Sequence, residues 1–133
     1  MATTIGMNGY VYHYQPDWAR LPEGMALQAP SAAAVDSHGR VYVFQRCGPP
    51  VLVFDGEGNL VSQWTRRDGM PADAHLIYLG PDDSVWLADR DAHQVLKYSP
   101  AGNLLMSLGN RDQPALQAPF NHPADMCVAP AGS

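Results

Sequence analysis

Apolar and polar residues alternate along this chain in short runs of four or five positions, bounded by glycine, proline, aspartate and asparagine rather than by helix caps. Val41-Tyr42-Val43-Phe44, Val51-Leu52-Val53-Phe54, Val85-Trp86-Leu87-Ala88 and Val95-Leu96-Lys97-Tyr98 read as strands. The text between them reads as turns: Ser37-His38-Gly39, Pro81-Asp82-Asp83, Asp55 to Asn59 and Ser99 to Asn103. Glycine and asparagine at such places supply the positive φ that tight hairpins require. The stretch from Val35 to Trp64 can be laid on that from Leu79 to Leu108 without a gap, at a constant shift of 44 positions. Val41 then falls on Val85, Arg46 on Arg90, and Gly58-Asn59-Leu60 on Gly102-Asn103-Leu104.

Four short strands per repeat, joined by hairpins, describe one blade of a β-propeller. Residues 31–64 form the first expected blade and 74–108 the second, while 120–133 open a third. In that third copy Val128-Ala129-Pro130 corresponds to Leu79-Gly80-Pro81. Residues 1–30 are a lead-in, with an alternating strand at Tyr10 to Tyr14 and a capping loop from Pro16 to Pro22. The expected fold is all-β: one partial, open propeller domain over 1–133, with two four-stranded blades and the first strand of a third. Blades bury flat apolar faces against one another, and fewer than about four do not close a ring. The expectation is therefore either the N-terminal part of a longer propeller or a chain that self-associates through its uncovered blade faces.

The 133 residues suit a single domain, and a 46% hydrophobic content is that of a globular protein. The formal charge is −5, and the only adjacent basic pair is Arg66-Arg67, which argues against nucleic acid and anionic membrane as partners. No apolar run approaches the length of about 18 residues that a membrane helix needs. The N-terminus lacks the basic and apolar regions of a signal peptide, so the expected compartment is the cytoplasm. Cys47 and Cys127 stand in unrelated contexts and read as unpaired, each a small buried hydrophobe.

A few residues stand out as candidate chemistry. His75 takes the place of Ser31 in the first repeat and Ala124 in the third, at the start of the inner strand facing the channel. A histidine that breaks a repeat on a rigid element suits a metal ligand. Arg46 precedes the sharp turn Cys47-Gly48-Pro49-Pro50, where its fork could hold a carboxylate or a developing oxyanion. Arg90 occupies the equivalent place, which also allows a shared structural role. His122 and Asp125, in the loop between the second and third repeats, are candidates for substrate binding, while His93 reads as a turn residue and His13 and His38 as exposed. Asp36, Asp55 and Asp89 read as turn caps, and Trp64 and Trp86 as packing aromatics. No nucleophile elbow, phosphate-cradling glycine loop or C-x-x-C pair is present.

From Ala32 to Ser133 the repeats resemble the NHL-repeat propellers. Within that class the text is similar to bacterial relatives of peptidyl-α-hydroxyglycine α-amidating lyase. The resemblance rests on "AVDSHGRVYVFQR" (Ala34–Arg46), "DAHLIYLGPDDSVWLAD" (Asp73–Asp89), "HQVLKYSPAGN" (His93–Asn103), "PFNHPADMCVAP" (Pro119–Pro130) and the lead-in "WARLPEG" (Trp18–Gly24). It implies a six-bladed parent that uses zinc to cleave a carbinolamide in a small peptide-like or amide substrate, leaving an amide and glyoxylate. It also implies His75 as the first zinc histidine and Arg46 as the catalytic arginine. The remaining zinc ligands and a tyrosine are expected in later blades, so this portion alone is expected to be inactive. A structural calcium is implied at the backbone carbonyls of Ala33 and Ile77. The alternative is a non-catalytic propeller that serves as a protein- or ligand-binding scaffold, since one fold hosts many functions. A calcium-dependent sugar-lactone hydrolase of similar shape fits less well, because its acidic channel ligand is not evident early in the chain.

Overall fold

The computed structural model describes residues 3–114 and 120–130. Strands alone make up its regular structure, and no helix of it is long and apolar enough to cross a membrane. Three antiparallel sheets follow one another along the chain. A hairpin pairs β1 (Thr4–Met7) with β2 (Tyr10–His13). The first blade comprises β3 (Pro30–Val35), β4 (Val41–Gln45), β5 (Val51–Phe54) and β6 (Leu60–Gln63), paired in that order. The second comprises β7 (Ala74–Leu79), β8 (Val85–Asp89), β9 (Gln94–Tyr98) and β10 (Leu104–Leu108). This is a partial, open propeller.

The 44-residue shift of the sequence reappears as hydrogen bonds. Asp36 N–H donates to Arg40 O as Gly80 N–H does to Ser84 O; Asp55 donates to Asn59 O as Ser99 does to Asn103 O. Buried Gln45 accepts the Gln28 N–H through its amide oxygen, while Asp89, its counterpart, accepts the Ala72 N–H. Different side chains thus close the same loop at the end of the second strand of each blade. Asp36 and Asp55 cap their turns as expected, each accepting two backbone N–H groups on one oxygen.

Strand periodicity decides which face is buried where. In the first blade Ala32, Phe44 and Val51 share a face with Ala34, Tyr42 and Val53, and this face joins the core. From the second blade Ile77, Leu87 and Leu96 join it, with Leu79, Val85 and Tyr98. Shifted by 44, the inward Tyr42 and Val53 become Trp86 and Lys97, on the far side of the second blade. The blades therefore stack head to tail, front of one on back of the next, as a propeller requires.

The back of the first blade is covered by the lead-in. Trp18 lies 5.8 Å from the Phe54 ring at a tilt of 49°, and Arg20 N–H donates to Gly58 O. Trp64 repeats this contact one blade on, 5.2 Å from Tyr98 at 48°. The strand near Tyr10 pairs locally with β1. Residues 120–130 hold no strand and lie against the second blade. Residues 131–133 and Pro119, part of the expected third blade and its motif, fall outside the described residues.

Candidate functional site

Arg46 and His75 lie where β4 ends and β7 begins. Arg46 N–H donates to Ala29 O, which pins the residue as the chain leaves β4. Its side chain then crosses to the next blade, where Nε donates to Asp73 Oδ1 at 3.0 Å. Among the described residues neither Nη makes a hydrogen bond, so the outer prongs of the guanidinium fork stay open. Asp73 Oδ2 is buried and has no donor among those residues. Arg66 supports this corner from behind, donating to the carbonyls of Arg46, Gly48 and Pro71. Sequence reasoning missed both Asp73 and Arg66; the signal was the loss of repeat symmetry at Asp73, which replaces Ala29.

His75 sits in an irregularity of the β7 ladder between Ala74 and Leu76, and Ser31 occupies the matching bulge of β3. Bulges re-aim a side chain at the end of a strand. The carbonyl of Ala124 lies 3.0 Å from His75 Nδ1, and a carbonyl only accepts, so Nδ1 carries the proton and the Nε2 lone pair is left over. Arg90 does not repeat the reach of Arg46: its nearest ion-pair partner is adjacent Asp91 at 3.7 Å, and its N–H donates to Asp73 O.

Ala33 and Ile77 occupy equivalent positions on the innermost strands. Counted from the Asp36-to-Arg40 and Gly80-to-Ser84 bonds, ladder alternation turns their main-chain groups away from β4 and β8, off the open strand edge. Calcium takes about six to eight oxygens, so two carbonyls make only part of such a site. His122 lies 4.3 Å from His93, ring to ring, and its Nδ1 faces Asn121 Oδ1, while Asp125 accepts from the Met126 N–H. Neither is aimed at Arg46. Both cysteines are exposed and free, which corrects the expectation of buried hydrophobes.

Among the described residues no group of three or more His, Cys, Asp or Glu side chains is placed to hold a metal. A catalytic zinc takes about three protein ligands plus an open position, so His75 alone does not supply one. A concavity of about 380 Å³ lies between Trp86 and Lys97 on one side and Val128, Ala129 and Pro130 on the other. There Lys97 lies 5.2 Å over the Trp86 ring and pairs with Asp82, whose carboxyl is held far below its usual range by Ser84 and then Lys97.

No family model matches the chain. It is 29% identical over 132 residues to NHL repeat-containing protein 3 of Homo sapiens, a similarity that takes in 92% of this chain and 38% of that protein. This supports a propeller of the NHL-repeat kind, of which the chain spans a little over a third of the relative's length.

Proposed function

We propose that the chain serves as a binding scaffold, holding a carboxylate-bearing ligand at the corner between the two blades. The observation that carries this reading is Arg46, tethered through Nε alone, with both Nη groups open beside an acceptor, Asp73 Oδ2, that also lacks a partner among the described residues. A guanidinium fork so presented matches a carboxylate with two parallel hydrogen bonds. N-acetylglycine is a small carboxylate that serves as the probe. Calorimetric titration with N-acetylglycine should show saturable, salt-weakened binding that Arg46→Gln reduces at least tenfold. Equal binding by wild type and Arg46→Gln, or none by either, overturns the reading.

A second reading, the zinc-dependent lyase, is favoured by the tautomer of His75. A histidine that donates Nδ1–H to a backbone carbonyl presents Nε2 in the manner of a metal ligand with an orienting partner. Zinc, when bound, would polarise the substrate hydroxyl. This chain's own contribution would be His75 as one ligand and Arg46 as the group that grips the substrate's negative charge. Ala33 and Ile77 would lend their carbonyls to a calcium. Equilibrium dialysis of the wild type and His75→Ala with zinc tests it. Zinc uptake lost in His75→Ala would support this chain's part in the lyase; uptake unaffected by that change removes it and leaves the scaffold.

A further inference from the structure

Residues 120–130 are held against the second blade by contacts that make opposite demands on histidine protons. The His122 N–H donates to His93 Nδ1 at 3.1 Å, so that nitrogen must be bare. The Ala124 carbonyl accepts from His75 Nδ1, so that nitrogen must carry a proton. Within the segment, His122 Nδ1 faces the side-chain amide oxygen Oδ1 of Asn121 and also carries one. Imidazolium has a proton on both nitrogens. Acid therefore leaves the His75 and Asn121 contacts intact and breaks only the one at His93.

His93 is built for this place. It is buried at the β8–β9 turn with φ of 58°, and its own N–H donates to Arg90 O. Its ring meets that of His122 edge to face at 4.3 Å, so two imidazolium charges there would repel each other. The charged groups around the pair are committed elsewhere. Asp89 accepts from Ala72 and Ala92, Arg90 pairs with Asp91, Arg111 with Asp112, and Asp125 takes the Met126 N–H. Lys97 and Asp82 pair with each other at the other end of β9. Among the described residues no carboxylate hydrogen-bonds to either ring, so no anion offsets the new charge.

We infer that His93 is a proton-operated latch: its protonation frees the His122 end of the 120–130 segment from the second blade, while the His75–Ala124 bond remains as the hinge. The ordinary charge change of a histidine side chain falls between about pH 5 and 8, so the test spans that window. The blades themselves should stay packed across that window. His38, 3.3 Å from Asp83, gains an ion pair between the first two turns when it is protonated.

The test is a two-dimensional NMR titration of the full chain from about pH 8 to 5, following the His93 ring carbons and the backbone amides of residues 120–126. The expected result is an upfield move of the His122 amide proton, as its hydrogen bond is lost, with the same midpoint as the His93 ring. In His93→Asn the amide oxygen replaces Nδ1 as an acceptor that does not titrate, and asparagine tolerates positive φ. That variant should hold the segment docked at the acid end. His122→Ala keeps the backbone donor and should keep the transition. A His93 ring that titrates while the His122 amide stays still, or no His93 titration in the window, overturns the latch; so does a His93→Asn variant that undocks as wild type does.

Discussion

Single side chains set the turn geometry on which each blade depends. Burial of the Asp36 carboxyl works to raise its pKa, but the N–H groups of Arg40 and His38 and the Arg40 guanidinium outweigh that and hold it below the ordinary value. Asp83 is held low chiefly by the Ser37 hydroxyl, then by its N–H, and this ties the turn of one blade to that of the next. A carboxyl whose folded pKa lies below its unfolded value contributes stability above that value, near 3.8, and the contribution is lost as pH falls through the folded pKa. Ser37→Ala should therefore move acid unfolding, followed by near-ultraviolet circular dichroism, to higher pH; superimposable curves would contradict this role. Gly58 has φ of 87°, and a Cβ there would fall 1.8 Å from the Trp18 carbonyl oxygen. Gly58→Ala should lower stability by about 1–3 kcal/mol or more in urea unfolding. The caps were legible because aspartates recur at turn positions. Arg46's tether was not, because Asp73 is remote in sequence and lies in the linker between repeats.

Each blade is stapled to what precedes it by one tryptophan. Trp64 is buried, tilts against Tyr98 and donates its indole N–H to Pro100 O, while Gly102 leaves room for the ring. Trp64→Ala should cost about 3–5 kcal/mol. Trp18→Ala should cost less, since Trp18 is only half-buried. Comparing urea midpoints of the two variants checks the order; a larger loss for Trp18 would mean the lead-in, not the blade interface, carries the fold. The strands of both blades were readable from short apolar runs and the turn residues that bound them. The Trp18 staple was harder to see, because Trp18 and Trp64 are 46 residues apart rather than 44. The shared W-x-R text, Trp18-Ala19-Arg20 and Trp64-Thr65-Arg66, was the available signal. The partner of β2 escaped notice because Thr4–Met7 carries glycine at its centre and no alternation.

At the scale of the molecule, head-to-tail stacking makes the two blades one structural unit and leaves the β1–β2 hairpin outside it. Every hairpin side chain is exposed, whereas β4, β5, β8 and β9 supply most of the core. A gapless repeat made this architecture legible, since a repeated unit with one apolar face must bury it on its neighbour. The functional site was less so. In a stack of blades a site is assembled where different repeats meet, and that meeting is set by reach across the stack rather than by local pattern, as Arg46 and Asp73 illustrate. Amide hydrogen exchange across the chain tests the stacking most directly. The account predicts that the slowest amides of β4–β5 and of β8–β9 exchange through one common opening with the same protection, and that β1–β2 exchanges far faster. Exchange of β8–β9 while β4–β5 stays protected, or the reverse, would contradict it.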